Sequence, residues 1–573
     1  MNRTNFQEKR PVFTTLAELV NHAFTEFADL PFLCEINGDS ITYRQGHQKI
    51  REIQQIFRKN NLRPGDKVAL LGKNSIQWGL IYIAAITHGI VIVPILHEFN
   101  ALNVHNIINM SDSKLIFIST QYLDKIENTQ FKYLEKAVLI EDFEEVALQS
   151  IPLIIQEIKQ RLYHFRDWIH QYIREYIHAG ESLDYEPKPN EIAAIVYTSG
   201  TTGSSKGVIL TQNNLASDVQ VAVKFIDICE KDRFLSLLPL AHTYECSLVL
   251  FGAMTGGAAI YYLKQKPSPK VLMDAFSIVK PTLVASVPLI IEKIYRKRIQ
   301  PHIEGNFWLR QTTHINLLRR AIYKKAVKEL LKALGGNLRW FGIGGAPLNP
   351  EVERFLFEGG FPYSIGYGMT ECSPLITGSS VSDKKKGSCG FPVEGIEIRI
   401  ADPDPKNGVG EVQVRGPIVT QGYYRNAEET ARLFTADGFL KTGDLGYIKK
   451  NYLYLKGRSK NMILGPSGEN IYPEEIEQLL NQNPAILESL ILYKNNRLRA
   501  LLFPDYDFLR QELDMFDQDD QKIKEKMDNY FQSIFSAFNH HLPEFSRISE
   551  WRLMDEEFEK TPTQKIKRFI YND

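Results

Sequence analysis

Short, apolar, β-branched runs alternate with longer stretches of helical period through most of the chain. Val68-Ala69-Leu70-Leu71 and residues 90–94, 114–118 and 283–287 read as buried strands, and longer segments such as residues 50–59 as helices. This alternation predicts α/β architecture with largely parallel sheets and covering helices. From residue 390 to 455 the pattern changes to apolar–polar alternation broken by Gly and Pro, as in Gly410-Glu411-Val412-Gln413-Val414-Arg415-Gly416. That period of two predicts antiparallel strands in a small β-rich part. The charged connector Lys456-Gly457-Arg458-Ser459-Lys460 follows, and then a tail of α+β pattern. A large N-terminal α/β domain at 1–457 and a small C-terminal domain at 461–573 are therefore expected.

Two long uncharged stretches, 74–94 and 246–263, contain glycines at a probable helix-to-strand turn. They read as buried helix–turn–strand units, since a membrane span is more continuously apolar over about 20 residues. Residues 153–178 place Ile154, Ile158, Leu162, Phe165, Ile169, Tyr172 and Tyr176 at helical spacing. A helix covering the core and a helix lying on a membrane surface both fit that stripe. The acid-rich stretch 505–530 and the basic stretch 296–335 read as solvated helical excursions, the latter also compatible with peripheral membrane contact.

Composition narrows the classes. Lys plus Arg equals Asp plus Glu at 68 each, which speaks against a nucleic-acid partner. The five cysteines are scattered with no CxxC pair, so neither a zinc site nor a disulfide framework is indicated. No signal peptide is visible at the N-terminus, and a cytoplasmic location is expected, with peripheral contact at the inner membrane face left open.

The most chemically loaded segment is Tyr197-Thr198-Ser199-Gly200-Thr201-Thr202-Gly203-Ser204-Ser205-Lys206-Gly207-Val208, directly after the strand-like 192–196. Glycines let several N–H groups converge on one anion, hydroxyls add neutral donors, and Lys206 adds a mobile positive charge. A polyphosphate is the ligand such a loop suits. Two serines separate Gly203 from Lys206, so the Gly-Lys-Ser/Thr ending of the common nucleotide P-loop is missing.

This loop resembles the signature of the adenylate-forming synthetases, which include acyl-CoA synthetases, luciferases and peptide-synthetase adenylation domains; Ser205 stands where the family usually has Pro. Further segments resemble the same family, in its order. Pro239-Leu240-Ala241-His242-Thr243 implies that His242 lines the acyl pocket. Gly344-Gly345-Ala346-Pro347 resembles the adenine-binding turn. Tyr367-Gly368-Met369-Thr370-Glu371 implies a tyrosine on adenine, Thr370 at the α-phosphate and Glu371 on Mg²⁺, with Thr201 as a second candidate ligand. Asp444 in Thr442-Gly443-Asp444 would take the ribose hydroxyls, and Arg458 would touch ribose or phosphate. Lys460 would be the pivot of a hinge at 458–460 that makes the small domain mobile, and Gly468 and Glu469 would face CoA. Lys565, in Thr561-Pro562-Thr563-Gln564-Lys565, would be the catalytic lysine.

The resemblance implies ATP-dependent conversion of an acid to its acyl-AMP, with Mg²⁺, followed by transfer to the thiol of CoA. Ser286-Val287-Pro288 and the Lys565-Ile566-Lys567-Arg568 ending resemble the long-chain fatty acyl-CoA synthetase branch, although Leu289 replaces the Arg common there. An acyl carrier protein as acceptor, and a non-catalytic nucleotide-binding protein of the same fold, are the alternatives. A carrier domain beyond Arg568 is not expected.

Overall fold

A computed structural model of the chain describes residues 11–127, 130–160, 185–198, 205–263, 265, 268–304, 315–464, 469–494, 497–515, 520–561 and 565–571. Among these residues, two seven-stranded sheets form the greater part of the fold. One sheet runs in the spatial order Tyr363–Ile365, Trp340–Ile343, Leu283–Ser286, Arg233–Ser236, Ala259–Tyr262, Pro31–Glu35 and Ser40–Thr42. Only its last pair is antiparallel. The other runs Glu145–Ala147, Lys136–Leu139, Ser113–Ile118, Lys67–Leu71, Val91–Ile95, Ile192–Thr198 and Lys206–Thr211. It is parallel inside and antiparallel at both edges.

The strands expected from the apolar runs are these central strands. They are buried on both faces, which is why they read as continuous apolar segments. The 74–94 stretch is the helix Ile76–Thr87 followed by Val91–Ile95, and 246–263 begins with a π-helical turn and ends in Ala259–Tyr262. Side-chain caps mark helix starts: Thr42 accepts from the Gln45 N–H while the Gln45 side chain accepts from the Thr42 N–H. Among the described residues no helix is long and apolar enough to cross a membrane.

The β-rich part is a four-stranded antiparallel sheet of Glu397–Ala401, Gly410–Arg415, Leu440–Lys449 and Tyr452–Arg458. Downstream, Ile486–Lys494, Arg497–Pro504 and Ile548–Leu553 form a three-stranded sheet covered by helices, with its own core around Ile491, Leu502, Phe531 and Phe535.

Two sequence expectations change. The acid-rich 505–530 stretch is less solvated than its composition suggests. Leu509, Met515 and Met527 enter that C-terminal core, and the helix Asp520–His541 directs its charges outward while packing Phe531 and Phe535 inward. Likewise the basic helix Asn316–Ala333 buries Tyr323, Val327 and Leu330. The 153–178 helix is described only as Ile151–Gln160, and the remainder lies outside the described residues.

Phe234 is fully buried on the strand at the centre of the first sheet. Truncation to Ala there leaves a cavity that neighbouring strands cannot collapse to fill. We expect Phe234→Ala to lower stability by about 3–5 kcal/mol, read as a shifted midpoint in urea unfolding.

Candidate active site

The glycine-rich loop joins the two antiparallel strands at one edge of the second sheet. Thr198 and Lys206 face each other across the ladder, so the loop is the cap of a hairpin. Ser199, Gly200, Thr201, Thr202 and Gly203 lie outside the described residues. The hairpin's second strand carries a further neighbour. Tyr424 N–H donates to the Gly207 carbonyl at 2.7 Å and Ile209 N–H to the Gly422 carbonyl at 3.0 Å. This pairing lays Tyr423 over the Lys206 ammonium, 5.2 Å from ring centroid to nitrogen. Lys206 also forms an ion pair with Glu429.

The Tyr423 hydroxyl donates to Glu371 Oε1 at 2.8 Å, and Thr420 N–H donates to the Glu371 carbonyl at 2.9 Å. Glu371 belongs to a tight turn between Tyr367–Gly368 and Leu375–Gly378, which pair antiparallel. It is buried, with Thr370 half-buried beside it. The segment 420–424 therefore stitches the phosphate-loop lysine to the carboxylate of a different sheet. Neither Tyr423 nor Glu429 figured in the sequence expectations; the Gly-Tyr-Tyr at 422–424 was the available signal.

Tyr367 is buried and its hydroxyl donates to Asp444 Oδ2 at 2.7 Å. Burial, with Asp444 beside it, raises this phenol well above its ordinary range, so it stays a donor. Asp444 and Arg458 are cross-strand partners, and Arg458 Nε lies 3.0 Å from Asp444 Oδ1. Both carboxylate oxygens are thus held in place, while a carboxylate's remaining lone pairs stay open to a diol. Gly345, Ala346 and Pro347 form an exposed turn after Trp340–Ile343, with Gly345 in the left-handed region at φ +85. The C-terminal helix Pro473–Leu480 sits beside this turn: Gln478 Nε2 donates to the Leu348 carbonyl at 3.0 Å.

Lys565 comes into this cleft from the far end of the chain. Its N–H donates to Thr561 Oγ1 at 3.2 Å and its carbonyl accepts from Thr561 N–H at 2.7 Å. The side chain stands among Arg458, Asp444 and Glu371. By area the residue is exposed, although its ammonium end is desolvated by the protein around it. Desolvation, with Arg458 adding to it, pulls its ammonium below the ordinary lysine range, against the pull of Asp444 and Glu371. His242 is half-buried and shares this neighbourhood: desolvation, then His97 and Lys565, push its imidazole down to about 4. At neutral pH it is uncharged.

Lys460 is exposed in the turn after Arg458, and Glu469 is half-buried with Oε2 unpaired; Gly468 lies outside the described residues. Among the described residues no group of three or more His, Cys, Asp or Glu side chains forms a metal cage. A magnesium ion does not require one, since it is commonly held by one or two carboxylates plus substrate phosphates and water. Glu371, with one oxygen committed to Tyr423, suits that donor set.

An apolar cavity opens beside the cleft. Tyr244, two residues after His242, lines it together with Ile343 and Gly366, which precede the adenine turn and Tyr367. A side chain at Gly344 would meet the Tyr244 ring at 3.4 Å.

This fold and this cleft define an adenylate-forming enzyme, and the chain belongs to the AMP-binding enzyme family, whose model matches residues 20–424. Among its relatives is long chain acyl-CoA synthetase 7, peroxisomal, of Arabidopsis thaliana, 29% identical over 508 residues, covering 82% of this chain and 70% of that protein. Long-chain-fatty-acid–CoA ligase FadD15 of Mycobacterium tuberculosis is 29% identical over 461 residues, covering 75% and 71%. Long-chain-fatty-acid–[acyl-carrier-protein] ligase AEE15, chloroplastic, of Arabidopsis thaliana is 26% identical over 542 residues, covering 81% and 72%. ATP-bound MatB from Rhodopseudomonas palustris shares the fold, with a TM-score of 0.72 at 21% identity over 97% of this chain and 98% of that one.

A Cβ on Gly368 would lie 1.8 Å from the Pro374 carbonyl oxygen, a backbone atom with no room to yield. We expect Gly368→Ala to displace the turn carrying Glu371 and to weaken AMP binding by about tenfold or more, read by calorimetric titration.

Proposed function

We propose that the chain activates a fatty acid as its acyl-AMP and transfers the acyl group to the thiol of CoA. The observation that carries the reading is the convergence of Lys565, Arg458, Asp444 and Glu371 on one cleft beside an apolar cavity. In the first step a carboxylate oxygen of the acid attacks the α-phosphorus of ATP. The new O–P bond forms as the bond to the β-phosphate oxygen breaks, and pyrophosphate leaves. Lys565 meets the negative charge growing around the α-phosphorus; preorganised charge of this kind is typically worth about 3–4 kcal/mol per group. Thr370 would orient the α-phosphate, and Asp444 and Arg458 the ribose. Lys206 and the 198–203 loop would take the β- and γ-phosphates, with Lys206 leaving Glu429 to do so. A magnesium ion bound at Glu371 supplies charge compensation for the polyphosphate.

In the second step the CoA sulfur attacks the acyl carbonyl, the C–S bond forms, the C–O bond breaks, and AMP leaves. The hinge at 458–460, between proposed domains at 1–457 and 461–573, would withdraw Lys565 and bring Glu469 toward the thiol. Names of relatives such as the plant and mycobacterial synthetases support a long-chain acid. An acyl carrier protein as acceptor is the second reading, supported by the relative named as an acyl-carrier-protein ligase.

An acid-dependent ATP–pyrophosphate exchange assay tests the reading. No exchange with any acid of a chain-length series, from a folded protein with magnesium present, would overturn it. Lys565→Ala is expected to lower exchange by about two to three orders of magnitude, while the variant still consumes supplied acyl-adenylate with CoA. Equal loss of both half-reactions would contradict the role assigned to Lys565. The ammonium of Lys565 is the form that burial disfavours, so it is lost as pH rises through a value below the ordinary lysine pKa of about 10.4. Exchange should accordingly decline on the alkaline side earlier than an ordinary lysine dictates, and Lys565→Arg should move that decline upward.

A further inference from the structure

The helix Pro473–Leu480 is gripped from outside its own core. Arg296 stands on the turn Tyr295–Ile299, whose Tyr295 and Ile299 are buried in a core built on the first sheet. Its guanidinium donates through Nη2 to the Asn481 carbonyl at 2.6 Å and through Nη1 to the Ile486 carbonyl at 3.2 Å. Asn481 caps the end of the helix and Ile486 opens the strand Ile486–Lys494; Leu480 and Ile486 belong to the C-terminal core. Asn349, the cap of the helix Pro350–Gly359, donates to the same Asn481 carbonyl at 3.3 Å. The last carbonyls of a helix lack partners within it and lie at the negative end of its dipole, so a cation suits them. A planar guanidinium on two carbonyls also fixes their orientation, which an ammonium does not.

The same helix holds the segment that carries Lys565. Glu477 Oε1 accepts from the Ile491 N–H at 2.6 Å, and Glu477 Oε2 forms an ion pair with Arg568, shortly after Lys565 in the chain. Arg568 also donates to the Ile491 carbonyl at 3.3 Å. Contacts within the segment, such as those of Lys565 with Thr561, shape it but do not fix it against the cleft. We propose that Arg296 is a positioning residue for adenylation: by clamping this helix to the part of the fold built on the first sheet, it sets where Lys565 stands. The line of contact runs from Arg296 through Asn481 to the helix, and from Glu477 through Arg568 to the lysine's own segment. Gln478, on the same helix, reaches the Leu348 carbonyl beside the adenine turn and keeps the strut close to the cleft. The basic stretch 296–335 thus opens with an arginine that is spent on backbone carbonyls of the C-terminal part rather than on solvent.

The inference rests on the reading of Lys565 as the lysine of adenylation. Its test is the two half-reactions of the full chain carrying Arg296→Met. One is ATP–pyrophosphate exchange with whichever acid of a chain-length series gives most exchange; the other is consumption of that acid's supplied adenylate with CoA. Exchange is expected to fall about tenfold or more, the effect of losing hydrogen bonds from a charged donor, while the CoA step keeps its rate. Arg296→Lys, which keeps the charge but not the planar fork, is expected to recover part of the exchange. Added to Lys565→Ala, Arg296→Met is expected to lower exchange no further, because a residue that acts through another is not additive with it. Where Arg296→Met fails to fold, Arg296→Lys takes its place in both comparisons, with a smaller loss of exchange expected. Unchanged exchange, equal loss of both half-reactions, or full additivity with Lys565→Ala overturns the inference and leaves acid activation standing. Absence of exchange by the unsubstituted chain with every acid overturns the activation reading, and this inference with it.

Discussion

The cleft depends on one electrostatic arrangement: an ammonium from the end of the chain held among two carboxylates and a guanidinium from other strands. Lys565 loses hydration on entering this space and faces Arg458, both of which work against its charge. Asp444 and Glu371 work the other way, and without them the lysine would lack a reason to sit there. Such balance is marginal by nature, since desolvating an ion costs several kcal/mol and opposite charges offset it only in good geometry.

What keeps the carboxylates ready is backbone pairing. Asp444 and Arg458 oppose each other because their strands are in register, and Tyr367 secures the other oxygen from a separate hairpin. Glu371 is held twice by the segment 420–424, through Tyr423 and through Thr420 N–H. That same segment pairs with the strand beginning at Lys206, so backbone pairing and the Tyr423 side chain together link the glycine-rich hairpin to Glu371. Lys206, on the same hairpin edge, forms a half-buried ion pair with Glu429.

Much of this was legible in the chain, and the parts that were not share a cause. The central strands announced themselves because both faces are buried, which forces continuous apolar runs such as Val68 to Leu71. The glycine-rich loop was visible from composition, but not that it caps a hairpin, since Lys206–Thr211 reads equally as a helix approach. The helix Asp520–His541 was misjudged because its core residues are few and widely spaced among charges. Tyr423 was missed for a deeper reason: it matters through Glu371 and Lys206, which lie far from it in sequence, and such pairing has no local period.

The cleft also separates charge from neutrality along its length. One part gathers Lys565, Arg458 and two carboxylates, whereas His242 nearby is kept uncharged by burial and by the His97 and Lys565 beside it. A charged imidazole there would add to the repulsion on Lys565, which already faces Arg458. A neutral one adds none, so the positive charge of this neighbourhood stays with the lysine and the guanidinium, and the two carboxylates of Asp444 and Glu371 are left to offset those two alone.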